Sequence, residues 1–323
     1  MKQIAPAYYG EFQCIAHRCR HSCCIGWEID IDEQSRKRFA QVTGPLGEKL
    51  RANIEDTEDG AHFRLDTDEE RCPFLQPDGL CQLICQLGPD SLCQICADHP
   101  RYRSEFSDWE ELGLGLCCEE AARLVLTWEP PTELVVLSDD GQPEDLYEDE
   151  ALVLQVRRNA LAIAQDREFS LTERLENLCD FFGLALPGCS PRQWAQVYRD
   201  LERLDEQWTL ALDTLGDEPP ETAQDSAWDI PFEQLLVYFL YRHLPAALDD
   251  GDLQSKLAFA VLSVTLLRWL LHSGSAPTME KLQDLARMYS GEVEYSDENL
   301  YILFDLLTPE EDFSTEYEEN EEN

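Results

Sequence analysis

Residues 257–271, LAFAVLSVTLLRWLL, form the most apolar run of the chain, and how they are read decides the architecture. Ser263, Thr265 and Arg268 interrupt the run, and it falls short of the roughly 20 residues that span a bilayer. It reads as a buried helix. Outward from it the pattern stays helical: Phe232 to Leu244 precede it, and Lys281 to Met288 and Ser296 to Leu307 follow. Further upstream, Leu152, Val156, Ala160 and Ile163 recur at helical spacing. Ser170-Leu171-Thr172-Glu173 is a capping-box start for a helix bearing Leu175, Leu178 and Phe182. The acidic, Pro-containing stretch Gly216 to Pro231 reads as a connector. The expected fold class is mainly α: a cysteine-rich N-terminal part with a few short strands, then an all-helical C-terminal domain.

The first part is organised differently. Trp27-Glu28-Ile29-Asp30-Ile31-Asp32 alternates with period two, as a half-buried strand does. Pro77-Asp78-Gly79 marks a turn, Glu119 to Trp128 a helix ended by Pro130-Pro131, and Glu133 to Leu137 a second strand. Seven of the twelve residues in 139–150 are acidic, so this run reads as a solvated linker. The expected layout is therefore a cysteine-rich domain over 1–138, a linker over 139–150, a helical domain over 151–309 and an acidic, disordered tail over 310–323.

Charge narrows the partners. Sixty-six acidic residues against 25 basic ones give a net charge of -41 over 323 residues. Such a surface repels phosphate backbones and anionic lipid headgroups, so nucleic acid and membrane are excluded as expected partners and a lysine-bearing protein is favoured. The N-terminal stretch MKQIAPAYYGEFQC has no apolar core of signal-peptide length, and the expected location is cytoplasmic.

Cysteine is the specific signal. Eleven of 13 lie in the first 118 residues, leaving Cys179 and Cys189 for the rest. In a reducing compartment such clustering points to metal or redox chemistry rather than disulfides. The groups are Cys14, Cys19, Cys23 and Cys24; Cys72 and Cys81; Cys93 and Cys96 ahead of His99-Pro100-Arg101; and Cys117 and Cys118. His17, Arg18, Arg20 and His21 interleave with the first group, where positive charge offsets thiolate charge. Spacing alone leaves zinc and an iron–sulfur cluster both open.

Phe12-x-Cys14-Ile15, Cys19-x3-Cys23-Cys24-x-Gly26-Trp27, Cys72-Pro73-Phe74-Leu75, Asp78-Gly79-Leu80-Cys81, Leu92-Cys93-x2-Cys96-x2-His99-Pro100-Arg101 and Cys118-x-Glu120-Ala121-Ala122-Arg123-Leu124 together resemble the bacterial flagellin lysine N-methylase family. The first cysteine groups are also similar to a broader family of zinc- or iron-chelating proteins. The resemblance extends into Val156 to Ile163, Ser170 to Leu175 and Leu235 to Leu244. It implies methylation of lysine ε-amines with S-adenosylmethionine and a [4Fe-4S] cluster held among Cys14, Cys19, Cys23, Cys24, Cys72, Cys81, Cys93, Cys96 and Cys118, with zinc as the alternative metal. Flagellin as substrate is implied by the family name alone.

The chain departs from that pattern in places. Arg20-His21 stands where an acidic pair is usual, and Glu119 where proline is. Ser290 to Tyr295 resembles a motif that normally has arginine at 291 and histidine at 295. Cys85 and Cys117 look like additions.

Methyl transfer from a sulfonium needs a neutral amine held in line with the methyl carbon. Tyr8, Trp27, Asp30, Asp32 and Tyr102, near the cysteines in sequence, have the aromatic and carboxylate chemistry for that task. Gly113-Leu114-Gly115 lacks the third glycine of a dinucleotide loop and reads as strand, so a Rossmann methyltransferase is not supported. The competing reading is a non-catalytic zinc or iron–sulfur module that docks a basic partner.

Overall fold

The computed structural model describes residues 2–57, 60–65, 70–141, 146–221 and 225–309. The expected tail over 310–323, with parts of the linker and of the 216–231 connector, lies outside the described residues.

In chain order the elements of the first half are β1 (Lys2–Pro6), α1 (Glu33–Gln41), α2 (Gly44–Ala52), β2 (Ile54–Asp56), β3 (Ala61–Phe63), α3 (Gln82–Leu87), α4 (Gln94–Asp98), β4 (Arg101–Glu105), β5 (Trp109–Leu114), α5 (Glu119–Leu126) and β6 (Leu134–Ser138). The second half is helical: α6 (Glu148–Ala164), α7 (Leu171–Phe182), α8 (Pro191–Asp200), α9 (Glu206–Leu212), α10 (Asp229–His243), α11 (Ala247–Asp250), α12 (Leu253–His272), α13 (Met279–Tyr289) and α14 (Asp297–Leu307). A π turn over Ser290–Glu294 joins the last two long helices. The mainly α class, with short strands gathered near the N-terminus, is what the structure has.

The chain divides into two compact units. The first is Met1–Asp145 together with Arg203–Trp208 and Thr278–Glu292; the second is Leu146–Glu202, Thr209–Pro277 and Val293–Asn323. Sequence pattern gave no sign that two short pieces of the helical half pack into the cysteine-rich unit.

In the first unit a four-stranded sheet runs in the order β4-β5-β1-β6, with β1 parallel to β5 and antiparallel to β6. Beside it a small apolar core contains Ile29, Ile31, Phe39, Leu50, Phe63 and Phe74. The 27–32 segment alternates as expected, with Ile29 and Ile31 inward and Glu28 and Asp30 outward. Its pairing is brief, however: Ile31 N–H donates to Ala61 O at 2.7 Å and Phe63 N–H to Ile29 O at 3.0 Å, around a single Asp30–His62 bridge.

In the second unit α10 and α12 are buried nearly all round. Helix α12 extends to 20 residues, long and apolar enough to cross a membrane by length and composition, yet 83% of that window is buried inside the protein. Core burial explains its apolar character on every side. Glu233, fully buried on α10, is held by Arg174 of α7 at 2.6 Å and by Arg167 at 2.8 Å. The acidic linker runs into helix: Glu148, Asp149 and Glu150 form the first turn of α6, where carboxylates suit the helix N-terminus, and Glu150 is buried. That corrects the linker's expected end at 150.

Candidate metal centre

Thiols from separate segments face two places in the first unit. Cys72 N–H donates to Cys24 O at 2.8 Å, next to the Ile25–Arg71 bridge, which brings Cys24 and Cys72 together. Cys81 and Cys93 are the residues that precede α3 and α4, and Cys96 lies within α4. Cys72 and Cys93 sit in the apolar core, and Cys24, Cys81 and Cys96 pack against it. Burial pushes the Cys72 thiol up to about 12, reinforced by Cys24, Cys96 and Cys81. Burial likewise raises Cys81, next to Cys24 and Cys96. A hydrogen bond with Cys93, burial and the Cys24 charge raise Cys96.

The other group is Cys14, Cys19, Cys23 and Cys118. Cys23 hydrogen-bonds its neighbour Cys24, which raises Cys23 and lowers Cys24, and the Cys14 and Cys118 thiols act on it as well. Cys118 precedes α5 and is raised by burial, with Cys14 nearby. Cys19 is pushed up to about 11 by burial, and its thiol reaches His21 O at 3.0 Å and Glu119 Oε2 at 3.6 Å. As the side chains stand, no three or more His, Cys, Asp or Glu among the described residues converge closely enough to hold a metal ion. Cys85 is exposed, and Cys179 and Cys189 lie in the second unit.

The basic island has a structural partner that sequence reasoning missed. Arg20 Nε lies 3.1 Å from Glu119 Oε1, and its other nitrogens reach Glu280 at 2.7 Å and Asp284 at 2.9 Å on α13. Glu119 also accepts the Arg20 backbone N–H at 2.8 Å and that of His21 at 3.3 Å. No local signal could reveal contacts between residues so distant in the chain.

Two of the expected aromatic and acidic contributors do structural work. Asp32 caps α1 through Ser35 N–H at 2.8 Å and accepts Gln94 N–H at 2.9 Å; these bonds overcome burial and hold its carboxyl down to about 2. Trp27 donates to Cys23 O at 2.6 Å and its ring lies 5.8 Å from that of His99. His99 itself is driven down to about 4 by burial and the Arg101 charge.

Residues 190–317 match the family model of the FliB lysine N-methylase C-terminal domain. Through this domain the chain is similar to the FliB lysine N-methylase family. Lysine-N-methylases of Salmonella typhimurium and Salmonella choleraesuis are each 27% identical to it over 137 residues, 39% of this chain and 33% of theirs. The flagellar biosynthetic protein FliU of Salmonella muenchen is 27% identical over 134 residues, 39% of this chain and 79% of its own length. The chain thus spans about a third of the length of the lysine-N-methylases it matches. No solved structure matches it. The domain match covers α8 to α14 and leaves the cysteine groups outside it.

Within the matched domain, the segment that departs from the family motif is firmly built. Glu292 accepts Leu204 N–H at 2.9 Å in the first unit. Glu294, fully buried in the second, has Tyr238 Oη at 2.9 Å and His243 Nε2 at 2.7 Å. Tyr295 lies under the Arg242 guanidinium at 4.9 Å. At Gly291 an added Cβ would meet nothing within 4 Å.

Proposed function

We propose that this protein is an S-adenosylmethionine-dependent protein lysine N-methyltransferase that carries a [4Fe-4S] cluster in its cysteine-rich unit. The observation that carries the reading is the lysine N-methylase domain match over residues 190–317. Its substrate is a lysine-bearing protein, with flagellin the first candidate because two of the similar proteins are named for lysine methylation and a third for flagellar biosynthesis. We place its action in the cytoplasm.

The donor set of the core-facing group suits the cluster: Cys24, Cys72, Cys81 and Cys96 would hold it, with Cys93 as a fifth thiol beside them. When bound, the cluster would supply a redox-active, anionic cross-link among four chain segments. The chain's own residues prepare for that charge. Arg71 acts on Cys24 and favours its thiolate, and the apolar core packs against the cysteines from one side.

The test is anaerobic purification followed by iron, sulfide and zinc analysis, then incubation with S-adenosylmethionine and flagellin and mass spectrometry of the lysines. About four iron and four sulfide per chain, with methyl-lysine on the substrate, are expected. Stoichiometric zinc without iron overturns the cluster. An intact cluster with substrate binding but no methyl-lysine on any basic or flagellar substrate overturns the enzyme and leaves a docking module, the reading that the altered positions 291 and 295 favour.

A further inference from the structure

Two open clefts of the second unit share Asp180 in their walls. One is a trough of about 450 Å³ beside α6 and α7, walled by Ile163, Phe169 and Phe181 with the carboxylates of Asp166 and Asp180. The other, of about 660 Å³, lies beside α7 and α12, and its lining includes Glu176, Asp180, Pro220, Thr265, Arg268 and Trp269.

The larger cleft combines three recognition chemistries. Arg268 is 8% exposed, its guanidinium stands 3.3 Å from Thr172 Oγ1 under the influence of the Asp229 carboxylate, and it lines the cleft as a fixed cation that a ligand carboxylate can approach. Trp269 and Pro220 offer flat apolar surfaces to an aromatic ring. Glu176 and Asp180 bring negative charge close enough to act on the intervening Cys179 thiol, so a cation is favoured there. A ligand that fits carries a carboxylate, a flat heterocycle and a positive centre, as S-adenosylmethionine does. The trough has a different fit. Phe169 and Phe181, 43% and 61% exposed, suit an aliphatic stem, and Asp166 and Asp180 suit an ammonium at its end, which is the form of a lysine side chain.

We propose that these clefts are the two halves of one methyl-transfer site, the larger taking S-adenosylmethionine, the trough taking the substrate lysine, and Asp180 standing where they meet. The proposal rests on the lysine-methylase reading above. The lysine ammonium first loses a proton to water. The amine lone pair then forms the N–CH₃ bond as the S–CH₃ bond breaks, its electron pair returning to sulfur. The positive charge passes from sulfonium to methylammonium, and the Asp180 carboxylate faces a cation before and after the step.

Isothermal titration of S-adenosylmethionine and of S-adenosylhomocysteine into the full chain tests this without any turnover. The cationic ligand is expected to bind more tightly than the neutral one, by about fivefold, the scale of a partly exposed ion pair. Asp180→Asn, at an exposed position, should abolish that preference at an unchanged melting temperature. Thr265→Trp should fill the cleft and weaken both ligands at least about tenfold. Phe181→Ser should leave both ligands bound and weaken only a lysine peptide. If the ligands bind the wild type and neither Asp180→Asn nor Thr265→Trp changes that binding as stated, this placement is wrong and the methylase reading survives. If neither ligand binds the wild type, the reading falls and the placement with it.

Discussion

Arg20 and Glu119 are both departures from the family pattern, and the structure puts them in contact with each other at 3.1 Å. Glu119 opens α5 and Arg20 stands 99 residues earlier in the chain, so the pair ties two distant segments together. Both changes were visible in the sequence; their connection was not, because nothing local links them. Arg20 is 40% exposed on its side chain, so the pair contributes little. Arg20→Ala is expected to cost no more than about 1 kcal/mol, and the loss should shrink in 1 M salt, as read by chemical denaturation. His99 makes a stronger claim. Its pKa is about 4 folded against 6.5 for the free group, so the unfolded chain takes up the proton first as pH falls. The native state therefore bears no penalty above pH 6.5 and loses stability progressively down to pH 4, by about 3 kcal/mol in all. Melting temperatures measured across that window should fall in the wild type and stay flatter in His99→Gln. The thiols sort by the same local logic. Cys72→Ser or Cys96→Ser should lose iron, whereas Cys179→Ser and Cys189→Ser, in the second unit, should retain it. The cysteine positions were legible because thiols are rare; which of them face one another was not, since residues as far apart in the chain as Cys24 and Cys72 meet only in three dimensions.

Helices with a full local signature stand where the sequence puts them. At α7, Ser170 Oγ accepts Glu173 N–H at 3.4 Å and Glu173 Oε2 accepts Ser170 N–H at 2.8 Å, the reciprocal cap that the four residues announce. Ser170→Ala should lower stability by about 1 kcal/mol, visible as a shift in the denaturation midpoint with an unchanged slope. Helix α6 shows where periodicity misleads. The expected inward stripe was Leu152, Val156, Ala160 and Ile163, but the buried one is Glu150, Val153, Arg157, Ala160 and Ala164, and Leu152 is 52% exposed. The cause is Arg157, whose guanidinium lies 5.2 Å over the Tyr241 ring; a cation in the core-facing stripe defeats any reading by hydrophobicity. Strands β4 and β5 escaped notice except at Gly113. Gly113 pairs with Tyr102, and a Cβ there would come within 2.1 Å of the tyrosine ring. Gly113→Ala should destabilise the first unit by roughly 1–3 kcal/mol, and Tyr102→Ala in the same chain should recover part of it, a coupling that a double-mutant cycle would measure.

At the scale of the whole molecule, the charge of -41 governs encounter rather than chemistry. Association with a lysine-rich protein should weaken as salt shortens the Debye length from about 10 Å at 0.1 M to about 3 Å at 1 M. Turnover should instead rise with pH as the bound lysine loses its proton. Rates measured over both variables would separate the two; a salt-independent affinity would show that the acidic surface serves solubility alone. The broad order of the molecule, cysteine-rich then helical, could be read from composition. Its return path could not, since hydrophobic pattern says which face of a helix is buried and never against what. That path, with 278–292 belonging to the first unit, sets a timetable for biosynthesis. Residues 1–145 emerge from the ribosome well over a hundred residues ahead of α13, a delay on the order of ten seconds at ordinary elongation rates. Through that interval the nascent cysteine groups are already made while Arg20 still lacks Glu280 and Asp284. On the proposed reading, metal delivered during translation would meet these cysteines before α13 does.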